Sequence, residues 1–441
     1  MGLGTFKRGI HPADDGKDIS KDYPIKKIKT GGEYVFPMSQ HIGAPAQPIV
    51  NVGDYVKVGQ KIGESTGFIS AVVVSSVSGK VKAIEDRMTV SGNKVKSIVI
   101  DNDEEYNAVD GFGQDRDYTK LSNEEIRNIV KEAGIVGMGG AGFPTHVKLT
   151  PKNEDEITHI IINGAECEPY LTSDYRIMLE EPERIIGGIK VVLQMFPKAE
   201  AIIGIEVNKQ DAIEKLQAMV ENEERISVMP LKVKYPQGAE RQLVYATTHK
   251  EINSTMLPAD AGCIVNNIDT IVAVYMAVCK TTPLIRRIIT VTGDAINNPC
   301  NIEARTGMKY MDLINEAGGF KCKPEKVVSG GPMMGMALFT LDIPVVKTSS
   351  AILSMTKDEV ALNEPTACIR CGRCVDACPS KLIPQKMYQY SNNIDDESFE
   401  HINGMECYEC GCCTYVCPAK LRLTQAFKLT RRRIMDNRRK K

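Results

Sequence analysis

The chain has 441 residues, of which 42% are hydrophobic and 25% are charged. This is the composition of an ordinary globular protein, and at roughly 150 residues per domain the length predicts about three domains. A formal net charge of −1 gives no general attraction to nucleic acid, so no nucleic-acid partner is expected. The sequence contains neither an apolar run long enough for a membrane-spanning helix nor an N-terminal secretory signal. We therefore expect a cytoplasmic protein whose fourteen cysteines bind metal rather than form disulfides.

Residues 1–102 are predicted to form an N-terminal extension and a small all-β unit. Short alternating runs rich in Val, Ile and Gly, such as PIVNVGDYVKVGQKIGES, favour strands joined by glycine turns. The unit resembles the barrel-sandwich fold of lipoyl and biotinyl carriers. The tip that carries the modified lysine in those carriers reads STGFISAVVVSS here and has no lysine, which indicates a structural or docking role. Residues 103–121 are polar and are predicted to be a linker.

Residues 122–285 are predicted to form an α/β domain that contains a glycine-rich loop. The loop, VGMGGAGFPTHVKL, matches G-x-G-x-x-G, which by itself is a weak signal for phosphate binding. A helix precedes it, because Ser122 and Glu125 form a capping box, so an ordinary Rossmann fold is disfavoured. The glycines still let backbone N–H groups approach a phosphate, and Lys148 adds a positive charge. The alternative is a flexible connector.

A predicted strand, ITHIIIN, follows the loop and leads into the turn NGAECEPY. Asn163, Glu166 and Glu168 come just after this strand, at the edge where open α/β sheets bind ligands. Amide and carboxylate groups there suit a ribose or the edge of an isoalloxazine ring. In isolation, however, the segment is better explained as a solvated acidic turn.

Four segments of this domain together resemble the NADH-oxidising flavoprotein subunit of respiratory complex I. In chain order they are GMGGAGFPTHVK, NGAECEP, YPQGAERQL and VNNIDT. The resemblance implies a modified Rossmann-like domain that binds FMN and NADH. That family usually has Arg, Asp, Ser and Glu at the positions of Met138, Ala165, Cys167 and Ala239. The predicted NADH contacts therefore depart further from the family than the predicted flavin contacts do.

The same resemblance implies which residues hold the cofactors. The phosphate region of FMN would lie against the glycine loop and its lysine, that is, Gly137, Gly139, Gly140, Gly142 and Lys148. Asn163, Asn266 and Asn267 would hold the flavin, and Glu166 and Tyr235 are further cofactor-binding candidates in the matched segments. Phe143 would stack on the nicotinamide nucleotide, and Glu168 and Glu240 would bind its ribose or adenosine part. No side chain is predicted to be catalytic, because hydride transfer would be the chemistry of the flavin.

Residues 286–350 resemble the ubiquitin-like β-grasp domain, of SLBB type, that follows the flavin domain in the same family. The segments that carry this resemblance are RRIITVTGDA, YMDLINEAGGF and EKVVSGGPMMGMAL.

Residues 351–425 contain two cysteine runs, CIRCGRCVDACP and CYECGCCTYVCP, that share the spacing C-x2-C-x2-C-x3-C-P. In ferredoxins with two clusters, the fourth cysteine of each run ligates the other cluster. The spacing therefore predicts a helical ferredoxin-like domain with two [4Fe–4S] clusters. The first would be held by Cys368, Cys371, Cys374 and Cys417, and the second by Cys407, Cys410, Cys413 and Cys378. The alternatives, a zinc ribbon or disulfides, fit the spacing and the compartment less well, and Cys412 is predicted to pack.

Residues 426–441 are predicted to be a basic tail, since the segment 420–441 has ten Lys or Arg and one Asp. Such a run is often only the solvated end of a helix. The functional alternative is docking to an anionic membrane surface or to an acidic partner.

Together these segments predict a multidomain α+β and α/β protein. Their order resembles the C subunits of the Rnf complex, the membrane-bound, ion-pumping ferredoxin:NAD⁺ oxidoreductase, as do FKRGIHPADDGKDIS and MSQHIGAPAQPIVNVGD. The resemblance implies a peripheral subunit on the cytoplasmic face of the cell membrane. It would exchange hydride between NAD(H) and FMN and pass single electrons through two clusters. Its partners would be membrane subunits and a ferredoxin-like B subunit. The alternatives are a soluble NADH-dependent corrinoid reductase with the same cofactors, and an electron-relaying scaffold with a degenerate flavin domain.

Overall fold

The computed structural model describes residues 2–13 and 15–440. The N-terminal part is all-β, as its alternating pattern predicts. Its strands are β1 (Lys26–Lys27), β2 (Gly32–Pro37), β3 (Gln47–Pro48), β4 (Tyr55–Val56), β5 (Lys61–Glu64), β6 (Val73–Val74), β7 (Gly79–Met88) and β8 (Lys94–Asn102). Two antiparallel sheets, in the orders β2-β8-β7-β4 and β3-β5-β6, pack around buried Tyr34, Phe36 and Ile98. We refer to these two sheets as the first unit.

The second unit is an open α/β layer built on an all-parallel sheet. Its helices are α1 (Asn123–Glu132), α2 (Thr145–Lys148), α3 (Ser173–Glu180), α4 (Pro182–Met195), α5 (Gln210–Val220), α6 (Glu240–Thr248) and α7 (Ile268–Lys280). Its strands are β9 (His159–Gly164), β10 (Glu200–Glu206), β11 (Ile226–Leu231) and β12 (Cys263–Asn267). The capping box of Ser122 and Glu125 begins α1, which confirms the helix expected before the glycine loop.

The strand order of this sheet, β11-β10-β9-β12, creates a switch point. After β9 the chain first adds β10 and β11 on one side, and it then returns to place β12 on the other side. Parallel sheets of this kind bind ligands at the carboxyl ends of the two strands where the order reverses. The predicted strand that ends at Asn163 is β9 itself, so its carboxyl end lies at this switch point.

The third unit is a six-stranded sheet with one helix. Its elements are β13 (Arg286–Thr292), β14 (Cys300–Arg305), α8 (Tyr310–Glu316), β15 (Lys326–Ser329), β16 (Met336–Ala337) and β17 (Ala351–Met355). The sheet order is β1-β14-β13-β17-β15-β16, so two strands come from outside the predicted range 286–350. The third unit extends past residue 350 because the buried residues Ile352 and Leu353 of β17 pair with both β13 and β15.

The fourth unit is helical and contains both cysteine runs. Its helices are α9 (Glu359–Leu362), α10 (Arg373–Ala377), α11 (Pro384–Asn392), α12 (Asp396–His401), α13 (Cys412–Tyr415) and α14 (Leu423–Lys440). α14 crosses the predicted boundary at 425/426, because Phe427 and Ile434 are buried against Leu382, Met387 and Phe399. In the described part of the chain, no helix has the length and apolar content needed to span a bilayer.

Part of the predicted basic tail neutralises acidic groups of its own unit. Arg431 pairs with Glu409, and Arg433 pairs with Asp396. Arg438 likewise lies against a carboxylate, that of Glu400. These arginines therefore belong to the fourth unit rather than to a separate tail.

A buried lysine joins the first three units, and it makes the stability of the protein depend on pH. Lys347 is 2% exposed, and its Nζ donates to Gly134 O at 2.7 Å and to Val72 O at 2.5 Å. Burial lowers the pKa of Lys347 to about 7. Between that value and the ordinary pKa of lysine, the unfolded chain binds one more proton than the folded chain. Stability should therefore rise with pH across this window.

We expect Lys347→Met to remove this rise. The midpoint of urea unfolding, measured at about pH 7 and about pH 9, should increase with pH in the parent protein and change much less in the variant. Lys57→Met, at an exposed position, is the matched control and should keep the parent slope. An equal slope in Lys347→Met and the parent would show that Lys347 does not cause the dependence.

Candidate functional site

Three of the sequence segments matched above meet at the switch point of the parallel sheet. The register of β9 and β12 pairs Asn163 with Asn267, which brings the ends of both strands together. Asn163 Nδ2 donates to Gly238 O at 2.8 Å, and Gly238 N donates to Cys167 Sγ at 3.2 Å. The turns after β9 and before α6 therefore close over the carboxyl end of the sheet.

The glycine loop folds back on itself next to these segments. Gly137 N donates to Phe143 O at 2.8 Å, and Val136 and Pro144 form an antiparallel bridge, so half-buried Phe143 sits at the base of a hairpin. At the sheet side of the hairpin, a Cβ on Gly139 would lie 3.0 Å from Cβ of Asn267.

Two glycines of the hairpin show what the loop requires. Gly142 has φ +76°, and a Cβ there would lie 2.8 Å from Cγ2 of Thr348 and 3.1 Å from Cα of His41. The position therefore favours glycine both for its conformation and for its close packing. Gly140 is exposed, and a Cβ added to it would have no heavy atom within 4 Å, so its backbone is open to a phosphate.

Lys148 lies beside the hairpin. Lys148 Nζ donates to Val265 O at 3.0 Å, and a Cβ on Gly137 would lie 3.5 Å from this nitrogen. Burial lowers the pKa of Lys148, and the charge of Glu240 opposes that shift. The structure therefore places Lys148 at the glycine loop, and Glu240 lies within electrostatic range of that lysine.

Several buried polar atoms at the switch point have no hydrogen-bond partner within the described residues. They are both side-chain atoms of Asn266, both of Gln237, and Oε2 of Glu166. Asn266 is only 1% exposed. Leaving a buried polar group unpaired costs about 1–3 kcal/mol, so native proteins rarely keep several together without a ligand. The edge of an isoalloxazine ring carries both donors and acceptors, and this set of amides and a carboxylate fits it.

Glu168 and Tyr235 face the third and fourth units instead of the open glycine loop. Glu168 Oε1 accepts hydrogen bonds from Met333 N at 2.6 Å and Met334 N at 3.0 Å. Buried Tyr235 donates its hydroxyl to Cys410 O at 2.7 Å. The carboxylate of Glu168 is thus already engaged by the β15–β16 connection, and its contact with a nucleotide stays a prediction.

Buried charged side chains from distant parts of the chain contact the turn after β9. Lys209 Nζ donates to Ala165 O at 2.8 Å and lies 3.6 Å from Oε2 of Glu206, while Lys17 Nζ donates to Glu168 O at 3.0 Å. Burial raises the pKa of Glu206 and lowers that of Lys17. Lys17, Lys209 and Glu206 are absent from the sequence prediction, because no motif links segments so far apart.

Asp174, at the start of α3, is another residue that the motifs did not indicate. Asn267 Nδ2 donates to Asp174 Oδ2 at 2.6 Å. Burial, reinforced by the charges of Glu166 and Asp269, raises the pKa of Asp174 to about 8. Asp174 therefore lies beside a predicted flavin contact with a raised pKa, and an acid in the first turn of a helix gives no sign of this in the sequence.

The cysteines of the fourth unit line two cavities in the crossed arrangement that the spacing predicts. One cavity is lined by Cys368, Cys371, Cys374 and Cys417. The other is lined by Cys378, Cys407, Cys410 and Cys413, with buried Cys412 also on its wall. Four soft thiolates around one space are the donor set of an iron–sulfur cluster, so the residues fit that group. Among residues 2–13 and 15–440, no three His, Cys, Asp or Glu side chains lie close enough to hold a single metal ion.

The two cysteine sets differ in their surroundings. Cys368 and Cys371 of the first set are exposed. In the second set, Cys413 is buried, and burial raises the pKa of Cys407 to about 12. A buried thiol yields its proton when a metal binds, so cluster binding would offset the cost of burying these thiolates. Each set has one buried cysteine, Cys417 or Cys413, but the second set has no exposed member and is therefore the less exposed of the two.

Family profiles match the four units in the order in which the chain presents them. They are the RnfC barrel sandwich hybrid domain at 4–105, the Nuo51 FMN-binding domain at 130–276, the SLBB domain at 288–337 and the 4Fe-4S dicluster domain at 367–421. These matches confirm the predicted fold class. The fold and site therefore define a multidomain subunit of the oxidoreductase class, with an FMN-binding domain and a 4Fe-4S dicluster domain.

Curated relatives are similar over the whole chain. The C subunit of the Na⁺-translocating ferredoxin:NAD⁺ oxidoreductase complex of Acetobacterium woodii is 44% identical and covers 99% of this chain and 98% of its own. The C subunit of the proton-translocating complex of Clostridium ljungdahlii is 44% identical over 87% of this chain and 84% of its own. The C subunit of the ion-translocating oxidoreductase complex of Salmonella arizonae is 38% identical over 88% of this chain and 57% of its own. The chain therefore belongs to the family of Rnf complex C subunits, as its module order predicts.

Proposed function

We propose that this chain is the NAD(H)-reacting subunit of an ion-pumping ferredoxin:NAD⁺ oxidoreductase. FMN would bind at the switch point of the parallel sheet, and two [4Fe–4S] clusters would bind in the two cysteine-lined cavities. The observation that carries the proposal is the set of partnerless buried groups, led by Asn266, beside an open glycine hairpin. The 44% identity to a C subunit of the Rnf family over the whole chain favours this function over the corrinoid reductase alternative.

Each part of the site has a defined task in this proposal. The open backbone at Gly140 and the ammonium group of Lys148 would bind the phosphate of FMN. Asn163, Asn266 and Asn267 would hold the ring, together with the partnerless buried atoms of Glu166 and Gln237. A bound flavin accepts two electrons as hydride and releases them singly, which is the exchange needed between NAD(H) and iron–sulfur centres.

Direct contacts join the flavin-binding unit to the second cysteine set. Tyr235 donates its hydroxyl to Cys410 O at 2.7 Å. Close by, Arg241 Nη1 lies 2.7 Å from Glu406 Oε2, one residue before Cys407. We infer that electrons pass between the flavin and the second set first, and then through the more exposed first set to or from another subunit.

The remaining functions of the complex would belong to its other subunits. The names of the relatives describe Na⁺-translocating and proton-translocating complexes, and we propose that membrane subunits move the ion here as well. We further propose that this subunit is peripheral, that it sits on the cytoplasmic face of the cell membrane, and that a ferredoxin-like B subunit is its electron partner.

An anaerobic titration tests the proposed function. NADH added to protein reconstituted with FMN and iron–sulfur clusters should bleach the flavin absorbance, and EPR signals of reduced [4Fe–4S] clusters should follow. Protein that carries clusters but no FMN is the control, and its clusters should stay oxidised. Bound flavin that NADH leaves oxidised would contradict the proposal.

A further inference from the structure

Residues 4–13, here called the strap, are anchored on the flavin-binding unit. Gly4 N donates to Pro230 O at 3.0 Å, at the end of β11. Further along, Ile10 and Tyr235 exchange two backbone hydrogen bonds, each of 2.9 Å. The strap therefore lies along the edge of the parallel sheet and along the segment that carries Tyr235.

Between these anchors, the strap contacts the fourth unit where ligation crosses between the two cysteine sets. Arg8 Nη1 donates to Val375 O at 2.9 Å, and Gly9 N donates to Ala377 O at 3.2 Å. Val375 and Ala377 belong to the three-residue spacer between the last two cysteines of the first run. That spacer joins a cysteine of the first set to one of the second set, so its position affects both.

The backbone of the strap is arranged to make this contact. Arg8 and Gly9 both have left-handed backbone conformations, with φ values of 62° and 80°. This conformation is costly for a residue with a Cβ and persists where the surrounding contacts hold it. Ala13 N donates to Tyr415 Oη at 3.3 Å, and Tyr415 lies in the matching spacer of the second run. The strap thus contacts both crossing segments.

The chain beyond the strap supports the turn that carries the predicted flavin contacts. Tyr170 N donates to Asp15 O at 2.6 Å, and Lys17, 6% exposed, donates to Glu168 O at 3.0 Å. One stretch at the start of the chain therefore contacts the flavin-side turn, the flavin-side sheet and both cysteine spacers.

We propose that Arg8 is a positioning residue for electron transfer. It holds the spacer of the first run, and with it the second cysteine set, against the flavin-binding unit. The inference rests on the proposed function. In the net reaction NADH loses a hydride and becomes NAD⁺, each cluster gains one of the two electrons, and one proton is released. Because electron transfer slows steeply with distance, a spacer that moves freely would slow the step between flavin and clusters while leaving the step between NADH and flavin unchanged.

Rapid-mixing experiments on the full chain loaded with FMN and clusters separate these two steps. Under anaerobic conditions, Arg8→Ala should bleach the flavin at the parent rate after NADH is added, and its clusters should be reduced at least tenfold more slowly. Arg8→Lys keeps a donor and should recover part of the rate. Lys7→Ala, at the exposed neighbouring position, is the matched control and should behave as the parent. Iron and FMN contents should be equal in all variants.

Hydrogen–deuterium exchange of the isolated protein gives a second readout that needs no turnover. Amides of residues 372–380 should exchange faster in Arg8→Ala than in the parent, and they should exchange at the parent rate in Lys7→Ala. Equal cluster-reduction rates in Arg8→Ala and the parent would overturn the inference, and so would a loss of iron that accounts for the slower rate. If NADH leaves the parent flavin oxidised, the proposed function fails, whereas the exchange result still tests whether Arg8 holds the spacer.

Discussion

Cys378→Ala is expected to remove the cluster whose other predicted ligands come from the second cysteine run. Cys378 belongs to the first run by sequence, but in the structure it lines the cavity of Cys407, Cys410 and Cys413. A cluster that loses one of four thiolates is not held, so iron should fall from about eight to about four atoms per chain. Iron and sulfide analysis would measure the loss, and EPR of the reduced protein would identify the remaining cluster.

The comparison among cysteine variants tests the crossed arrangement directly. The EPR spectrum of Cys378→Ala should match that of Cys407→Ala, because both remove the same cluster. It should differ from that of Cys368→Ala, although Cys368 and Cys378 share one sequence run. Cys412→Ala removes a buried cysteine outside the motif and should keep both signals. A Cys378→Ala spectrum that matches Cys368→Ala instead would mean that each run binds its own cluster.

Asn266→Leu is expected to stabilise the flavin-free protein and to weaken flavin binding. Both side-chain atoms of Asn266 are buried without a partner, so a leucine of similar size removes an uncompensated cost of about 1 kcal/mol or more. The same change removes the hydrogen bonds that we propose to the flavin ring, which should raise the Kd for FMN roughly tenfold or more. Urea unfolding of the flavin-free protein and fluorescence titration with FMN measure the two effects.

Asn163→Leu provides the contrasting control for this prediction. Asn163 donates to Gly238 O at 2.8 Å and accepts a hydrogen bond from Ala165 N at 3.2 Å. Its replacement leaves those groups unpaired, so the flavin-free protein should lose about 1–3 kcal/mol of stability. If Asn266→Leu destabilised the flavin-free protein just as much, the buried atoms of Asn266 would have partners in the protein and would not point to a ligand.

The elements that local sequence predicts correctly are those set by short-range contacts. The capping box at Ser122 begins α1 as expected, because its hydrogen bonds span only three residues. The apolar run that ends at Asn163 forms β9, because a strand buried on both faces needs continuous apolar residues. The chemistry of the predicted site was therefore readable in segments of a few residues each.

The elements that were missed depend on contacts between distant segments. β1 is only two residues long, Lys26–Lys27, and it exists because β14 pairs with it across more than 270 residues of chain. α14 continues beyond the predicted end of its domain because the packing of Phe427 and Ile434 stabilises it. Gln237 lies inside a segment that was recognised, but its importance appears only when burial leaves both of its polar atoms without partners.

By itself, the sequence determined the kinds of chemistry available: two cysteine runs with cluster spacing, a glycine loop, and asparagines in the segments that resemble a flavoprotein. Residue types and spacings over a few positions can be read directly from the sequence, so these features are recognised without knowledge of the fold. Only the tertiary structure decided which groups meet. It engaged Glu168 with Met333 and Met334, and it laid the strap across both cysteine spacers. These contacts depend on burial and on long loop closures, which no local pattern encodes.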